Sequence, residues 1–206
     1  MSRALPGRLE VVVATSNPGK LREIREILGD LPLVLRSLGD FPALRMPEES
    51  DAYAENAAAK ALTVARETGR VSVADDSGLE VDGLDGAPGA RSARYGGPDL
   101  DDAGRVQHLL RELASRHGAA RAARFVCVAA LATPDGDVVT ARGECAGRIL
   151  EAPVGSGGFG YDPVFESSEA GLAMAQLSAA EKNRLSHRAR AFRALREPLR
   201  ALARRG

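Results

Sequence analysis

Residues 9–28 read Leu-Glu-Val-Val-Val-Ala-Thr-Ser-Asn-Pro-Gly-Lys-Leu-Arg-Glu-Ile-Arg-Glu-Ile-Leu, and this stretch decides the fold class. Leu9 to Thr15 is a β-branched run of the kind that forms a buried strand. It breaks at Asn17-Pro18-Gly19. Pro18 suits the first position of a helix, with Ser16 or Asn17 as its N-cap. Lys20 to Leu28 then carries apolar residues at 21, 24, 27 and 28, the spacing of one helical face. A buried strand feeding a helix through a tight turn is the opening unit of an α/β protein.

Working outward, Leu33 to Leu35 reads as a short strand. The alanine-rich run from Asp51 to Thr68 has high helix propensity and stops at Gly69. Val71 to Ala74 is a second buried strand, expected to end at the Asp75-Asp76-Ser77-Gly78 turn. A glycine-rich section follows to Pro98, then a helix from Leu100 to His117 and a strand from Arg124 to Thr133. Pro134-Asp135-Gly136-Asp137 is a hairpin turn into a strand from Val138 to Cys145. Helix is expected from Ser178 to Ala203. Early strand–helix alternation with a later hairpin predicts an α/β fold of mixed α+β character, built on a mixed sheet.

The 206 residues correspond to one domain. Lys plus Arg and Asp plus Glu are both 28, so the formal net charge is zero. That balance argues against a nucleic-acid polymer or an anionic membrane as the partner. No apolar stretch reaches the ~18 residues of a membrane span, and the apolar run near the start is too brief for a signal segment, which predicts a cytoplasmic protein. Cys127 and Cys145 stand 18 apart with no CxxC pattern and read as small buried hydrophobes. The basic residues are 25 Arg and three Lys, at 20, 60 and 182. The three Asn, at 17, 56 and 183, each lie within four residues of one of them. In an Arg-dominated chain, a lysine marks a place that wants a compact, mobile ammonium rather than a planar fork.

Four segments can carry chemistry. Thr15-Ser16-Asn17-Pro18-Gly19-Lys20 aims helix-start amides and one ammonium at a single spot, an arrangement suited to phosphate or to a plain helix cap. It is not a Walker A loop, since Leu21 follows the lysine where a hydroxyl is needed. Asp75 and Asp76 stand at the end of a strand, where adjacent residues face opposite sides as long as the strand stays regular. One can serve a hard cation or a water while the other pairs with a basic residue, and Glu48-Glu49 supplies further carboxylates. Gly155-Ser-Gly-Gly-Phe-Gly-Tyr-Asp-Pro163 lets the backbone approach a flat ligand, with Phe159 as a stacking face or a core residue. In the last segment Ser178 and Glu181 fit a capping box. Lys182 and His187 would project about 140° apart on one continuous helix. They face one site only if the helix restarts near Ser186.

Together, TSNPGK, AENAAAKA, ADDSGLEVD, GAPGARSARY, GGFGYDPVF and AEKNRLSHR, in this order, closely resemble the inosine/xanthosine triphosphate pyrophosphatase family from about residue 10 to 195. The resemblance implies a two-lobed fold around a long mixed sheet, with the active site in the cleft, and a homodimer. It implies hydrolysis of ITP, dITP and XTP to the monophosphate and pyrophosphate with Mg²⁺, which cleanses the nucleotide pool of deaminated purines. By position, Thr15, Ser16, Asn17, Pro18, Gly19 and Lys20 become the phosphate loop. Asp76 becomes the general base, and Glu48 and Asp76 the metal-associated carboxylates. Ser77, Phe159, Gly160, Tyr161, Asp162, Lys182, His187 and Arg188 become substrate residues, with Lys60 near the triphosphate and Arg94 a further basic candidate. Residues 48–53 depart from the family's usual Glu-Glu-Thr-Gly-x-Thr-Phe, which leaves Glu49 as an alternative to Glu48. Arg91 stands where an aromatic is often found. The competing enzyme reading is a septum-inhibitor-like pyrophosphatase acting on modified pyrimidine nucleotides, against which GGFGYDP and SHR argue. A nucleotide sensor without turnover is the reading from another class, and the retained carboxylates count against it.

Overall fold

The computed structural model describes residues 8–205. Residues 1–7, the first part of the stretch read as too brief for a signal segment, lie outside them. Strand β1 (Leu9–Val13) leads to helix α1 (Pro18–Leu28). Asn17 is the cap, and its Oδ1 accepts from the Gly19 and Lys20 amides at 2.8 and 3.0 Å. Strand β2 (Leu33–Ser37) follows, then helix α2 (Tyr53–Thr68), which Gly69 terminates at φ 63°, a conformation that favours glycine.

Strand β3 runs from Val71 to Val81. It does not stop at Ala74: Asp75 to Gly78 lie inside it, not in a turn. Their turn-like composition is overridden because the strand is buried along most of its length. Beyond it come β4 (Pro88–Gly89), α3 (Asp102–Ser115), β5 (Ala122–Ala132) and β6 (Val138–Ile149), with the expected turn between β5 and β6. Strand β7 (Phe165–Ser167) precedes three short helices rather than one long one: α4 (Ala179–Leu185), α5 (His187–Ala194) and α6 (Arg196–Ala203).

Among the described residues, seven strands form a sheet in the order β2-β1-β3-β5-β6-β7, with β4 on β3. The β1–β2 and β1–β3 pairs are parallel, whereas β3–β4 and β6–β7 are antiparallel. This is the mixed sheet that the sequence predicts.

The chain divides into two compact units. The first holds the residues up to Asp76, Val128–Arg142 and those from Arg188 onward; the second holds Ser77–Cys127 and Gly143–His187. In the first unit, Ala57, Ala61, Val64 and Ala65 of α2 pack with Val12, Ala14, Ala74 and alternate residues of β5. Small residues on that helix face bring its backbone close to the strands. In the second unit, Val106, Leu109 and Leu113 of α3 join Leu79, Phe125, Phe165 and Met174. Cys127 and Cys145 are buried, as expected, and neither forms a disulfide. Among the described residues no helix is long and apolar enough to cross a membrane.

Candidate active site

The adjacent carboxylates on β3 take different partners. In the first unit, Asp75 Oδ2 accepts from Lys20 Nζ at 3.0 Å and from Arg188 Nε at 3.2 Å. Arg188, only 2% exposed, also donates to Glu23 Oε2 at 2.5 Å. Burial by itself would raise the Asp75 pKa, but the charges of Lys20, Arg188 and Lys60 outweigh it and hold the carboxyl well below the usual range. Asp75 is thus a fixed anion beneath two cations, one of them the lysine of the predicted phosphate loop.

Asp76 turns the other way, towards α2. Its Oδ1 accepts from Lys60 Nζ at 3.2 Å and its Oδ2 from Asn56 Nδ2 at 2.9 Å. Lys60 also reaches Glu49 Oε1 at 3.0 Å, so its ammonium sits between two carboxylates. Burial alone would lower the Lys60 pKa, but Asp76, Asp75 and Glu49 more than compensate and raise it. Glu48 is exposed and takes part in none of these bonds. The acidic residue the structure brings to Lys60 is therefore Glu49, the alternative at this position.

The loop before α1 is already organised by its own side chains. Thr15 Oγ1 accepts from the Asn17 amide at 3.2 Å, while Asn17 caps the helix. Ser16, Asn17 and Pro18 are exposed; Gly19 and Lys20 are half-buried.

In the second unit, Asp162 anchors the glycine loop. Its Oδ2 accepts from the Phe159 amide at 2.8 Å and from the Lys182 ammonium. That ammonium lies 4.7 Å from the centroid of the Phe159 ring, a cation–π contact. Gly160 takes φ 60° and donates its amide to Asp102 Oδ2 at 2.7 Å. Tyr161 is buried in the core, where its hydroxyl donates to the Ser92 carbonyl at 3.0 Å. Burial pushes its phenol pKa up. It thus faces the interior rather than solvent, and it fastens the loop. Ser77 is half-buried on β3.

The helix does restart near Ser186. Ser178 and Glu181 form the predicted capping box on α4. Ser186 then adopts an extended ψ of 154°, and α5 begins at His187. The His187 ring lies flat on Phe125, with centroids 4.7 Å apart and an interplanar angle of 13°.

Glu23, Asn56 and Asp102 were not among the predicted site residues. Only the clustering of rare asparagines hinted at Asn56. For Glu23 the one available sign was a carboxylate within the apolar face of α1, beside Ile24 and Ile27.

The mixed sheet flanked by helices puts the chain among α/β proteins. More particularly, it belongs to the Ham1 family, whose family model matches residues 11–198. It is 52% identical over 190 residues to the dITP/XTP pyrophosphatase of Thermus thermophilus, spanning 92% of this chain and 91% of that one. It is 49% identical over 190 residues to the dITP/XTP pyrophosphatase of Geobacter sulfurreducens, spanning 92% and 96%. Among solved structures, a HAM1 protein from Coxiella burnetii superposes with a TM-score of 0.84 at 37% identity, over 93% of this chain and 98% of that one.

Proposed function

We propose that the chain hydrolyses the non-standard purine nucleotides ITP, dITP and XTP to the monophosphate and pyrophosphate. The observation that carries this reading is the Glu49–Lys60–Asp76 line in the first unit, with Lys20 held on the neighbouring Asp75. The dITP/XTP pyrophosphatase relatives support it.

Two carboxylates that already flank an ammonium offer the oxygen donors a hard divalent ion prefers, since Mg²⁺ takes one or two protein carboxylates and completes its shell with water and phosphate oxygens. Asp76 and Glu49, with Glu48 adjacent, would hold it, and when bound it neutralises charge on the departing pyrophosphate. The chain's own groups do the rest. Lys20 binds the phosphates as a mobile point charge. Asp76 keeps unused lone pairs beside its two hydrogen bonds, and with these it accepts the proton of the attacking water. The water oxygen bonds the α-phosphorus, the bond to the α–β bridging oxygen breaks, and pyrophosphate leaves. Phe159, Asp162, Lys182, His187 and Arg188 serve recognition of the base and sugar. The reading includes a homodimer working in the cytoplasmic nucleotide pool.

The test is pyrophosphate release from ITP, dITP, XTP, ATP, GTP and modified UTP, with and without Mg²⁺. ITP and XTP should be hydrolysed far faster than ATP and GTP. Orthophosphate as the first product, or equal rates on ATP, would overturn the reading.

Lys20→Arg should lower turnover about 10²-fold although charge is kept, because a guanidinium displaces the phosphates by ~1 Å in a turn shaped by Pro18 and Gly19. Lys60→Arg and Lys182→Arg should also be costly, since the Lys60 ammonium sits between two carboxylates and the Lys182 ammonium between Asp162 and the Phe159 ring. Arg66→Lys and Arg111→Lys serve as controls and should be almost neutral. Near-normal rates for all three lysine variants would end the point-charge argument.

Asp102→Ala acts on the glycine loop. Its bond to the Gly160 amide comes from a side chain 58% exposed, so it is worth about 1 kcal/mol. Steady-state kinetics should show KM for ITP rising about five-fold, with kcat nearly unchanged.

A further inference from the structure

Asn56 is 3% exposed and lies one helical turn before Lys60 on α2. Its Oδ1 accepts from the Ser50 amide at 2.7 Å and from Ser50 Oγ at 3.1 Å. Its Nδ2 donates to the Ser50 carbonyl at 2.8 Å and to Asp76 Oδ2 at 2.9 Å. Both donors of the amide are in use, and its oxygen accepts the Ser50 amide and shares the Ser50 hydroxyl proton with Glu55. Its direction is forced, because a backbone N–H can only donate, so the oxygen must face Ser50 and the NH₂ must reach Asp76. Residues i and i+4 share a helix face, and here each addresses a different oxygen of one carboxylate: Asn56 takes Oδ2 and Lys60 takes Oδ1. The same two residues hold successive positions of the acidic loop, Asn56 gripping Ser50 and Lys60 gripping Glu49.

We propose that Asn56 is a positioning residue: its amide fixes the rotation of the Asp76 carboxylate and ties it to the loop carrying Glu48 and Glu49. Lys60 alone is one contact about which the carboxylate can turn. The second bond, from a short and buried side chain, removes that freedom. The inference rests on the reading of Asp76 as the base of the hydrolysis.

Two variants separate positioning from mere support of the loop. Asn56→Asp is isosteric and still accepts from the Ser50 amide, but it presents a carboxylate to Asp76 where an N–H stood. Asn56→Ala removes both functions. The measurements are kcat and KM for pyrophosphate release from ITP, and hydrogen exchange of the Ser50 amide in the nucleotide-free, metal-free protein. For Asn56→Asp, kcat should fall about 10- to 100-fold, the usual cost of losing such a supporting bond, with KM within about three-fold and Ser50 still protected. For Asn56→Ala, kcat should fall similarly and Ser50 should exchange faster. An Asn56→Asp protein that keeps near-normal kcat, or that loses kcat only with global loss of protection, overturns the proposal. A wild-type protein that cleaves none of the nucleotides defeats the functional reading instead. The clamp is then judged by exchange alone, and it falls if Ser50 exchanges equally fast in wild type and Asn56→Ala.

Discussion

Asp76→Asn should lower turnover of ITP by about 10²-fold or more, the contribution typical of a positioned general base. The substitution preserves size and leaves Lys60 paired with Glu49, so the fold should survive with little change in Tm. Pyrophosphate release at saturating ITP, alongside calorimetry, makes the comparison. A rate within ten-fold of wild type would remove Asp76 from the base role. An inactive Asp75→Asn beside an active Asp76→Asn would reverse the assignment of the pair.

Asp75→Asn should act mainly on stability. Its carboxylate is fully buried and answers two cations, so its removal takes one carboxylate partner from Arg188 and one from Lys20. Breaking a buried pair by deleting one partner costs about 3–5 kcal/mol. For a chain of this length that lowers Tm by roughly 6–20 °C. The pH dependence follows from the lowered pKa. Asp75 stays ionised in the fold below the ordinary value of 3.8, so its stabilisation is complete above that value and is lost as pH falls towards the folded-state one. The gap in Tm between wild type and variant should therefore be full at neutral pH and shrink in acid. A loss of stability of under about 1 kcal/mol at pH 7 would show that the two cations do not depend on this anion. Turnover should suffer less than in Asp76→Asn, through a displaced Lys20.

Features coded by neighbouring residues were legible in the sequence. Asn17 before Pro18, Gly69 after the alanine helix, and the Ser178–Glu181 capping box each form from residues a turn or less apart, and each sits where expected. The continuation of β3 through Asp75-Asp76-Ser77-Gly78 was not, because those residue types favour turns and only burial with cations from distant segments keeps them extended. Distance in the chain hid the supporting residues too. Glu23 meets Arg188 across 165 positions and Asp102 meets Gly160 across 58, and no spacing rule spans such gaps. Glu49 rather than Glu48 reaches Lys60 because the loop is gripped at Ser50 by Asn56, a tertiary constraint invisible in the Glu-Glu pair.

The unbroken course of β3 gives this strand a parity. Asp76 lies on the same face as Ala74, which packs against α2, while Asp75 lies on the opposite one. One residue inserted or deleted between Val71 and Asp75 would swap the two acids, sending the anchoring carboxylate to Asn56 and Lys60 and the reactive one to Lys20 and Arg188. A change of two would leave each acid on its own side. The segment can thus change length only in even steps, so the number of residues before the acids matters as much as their identity.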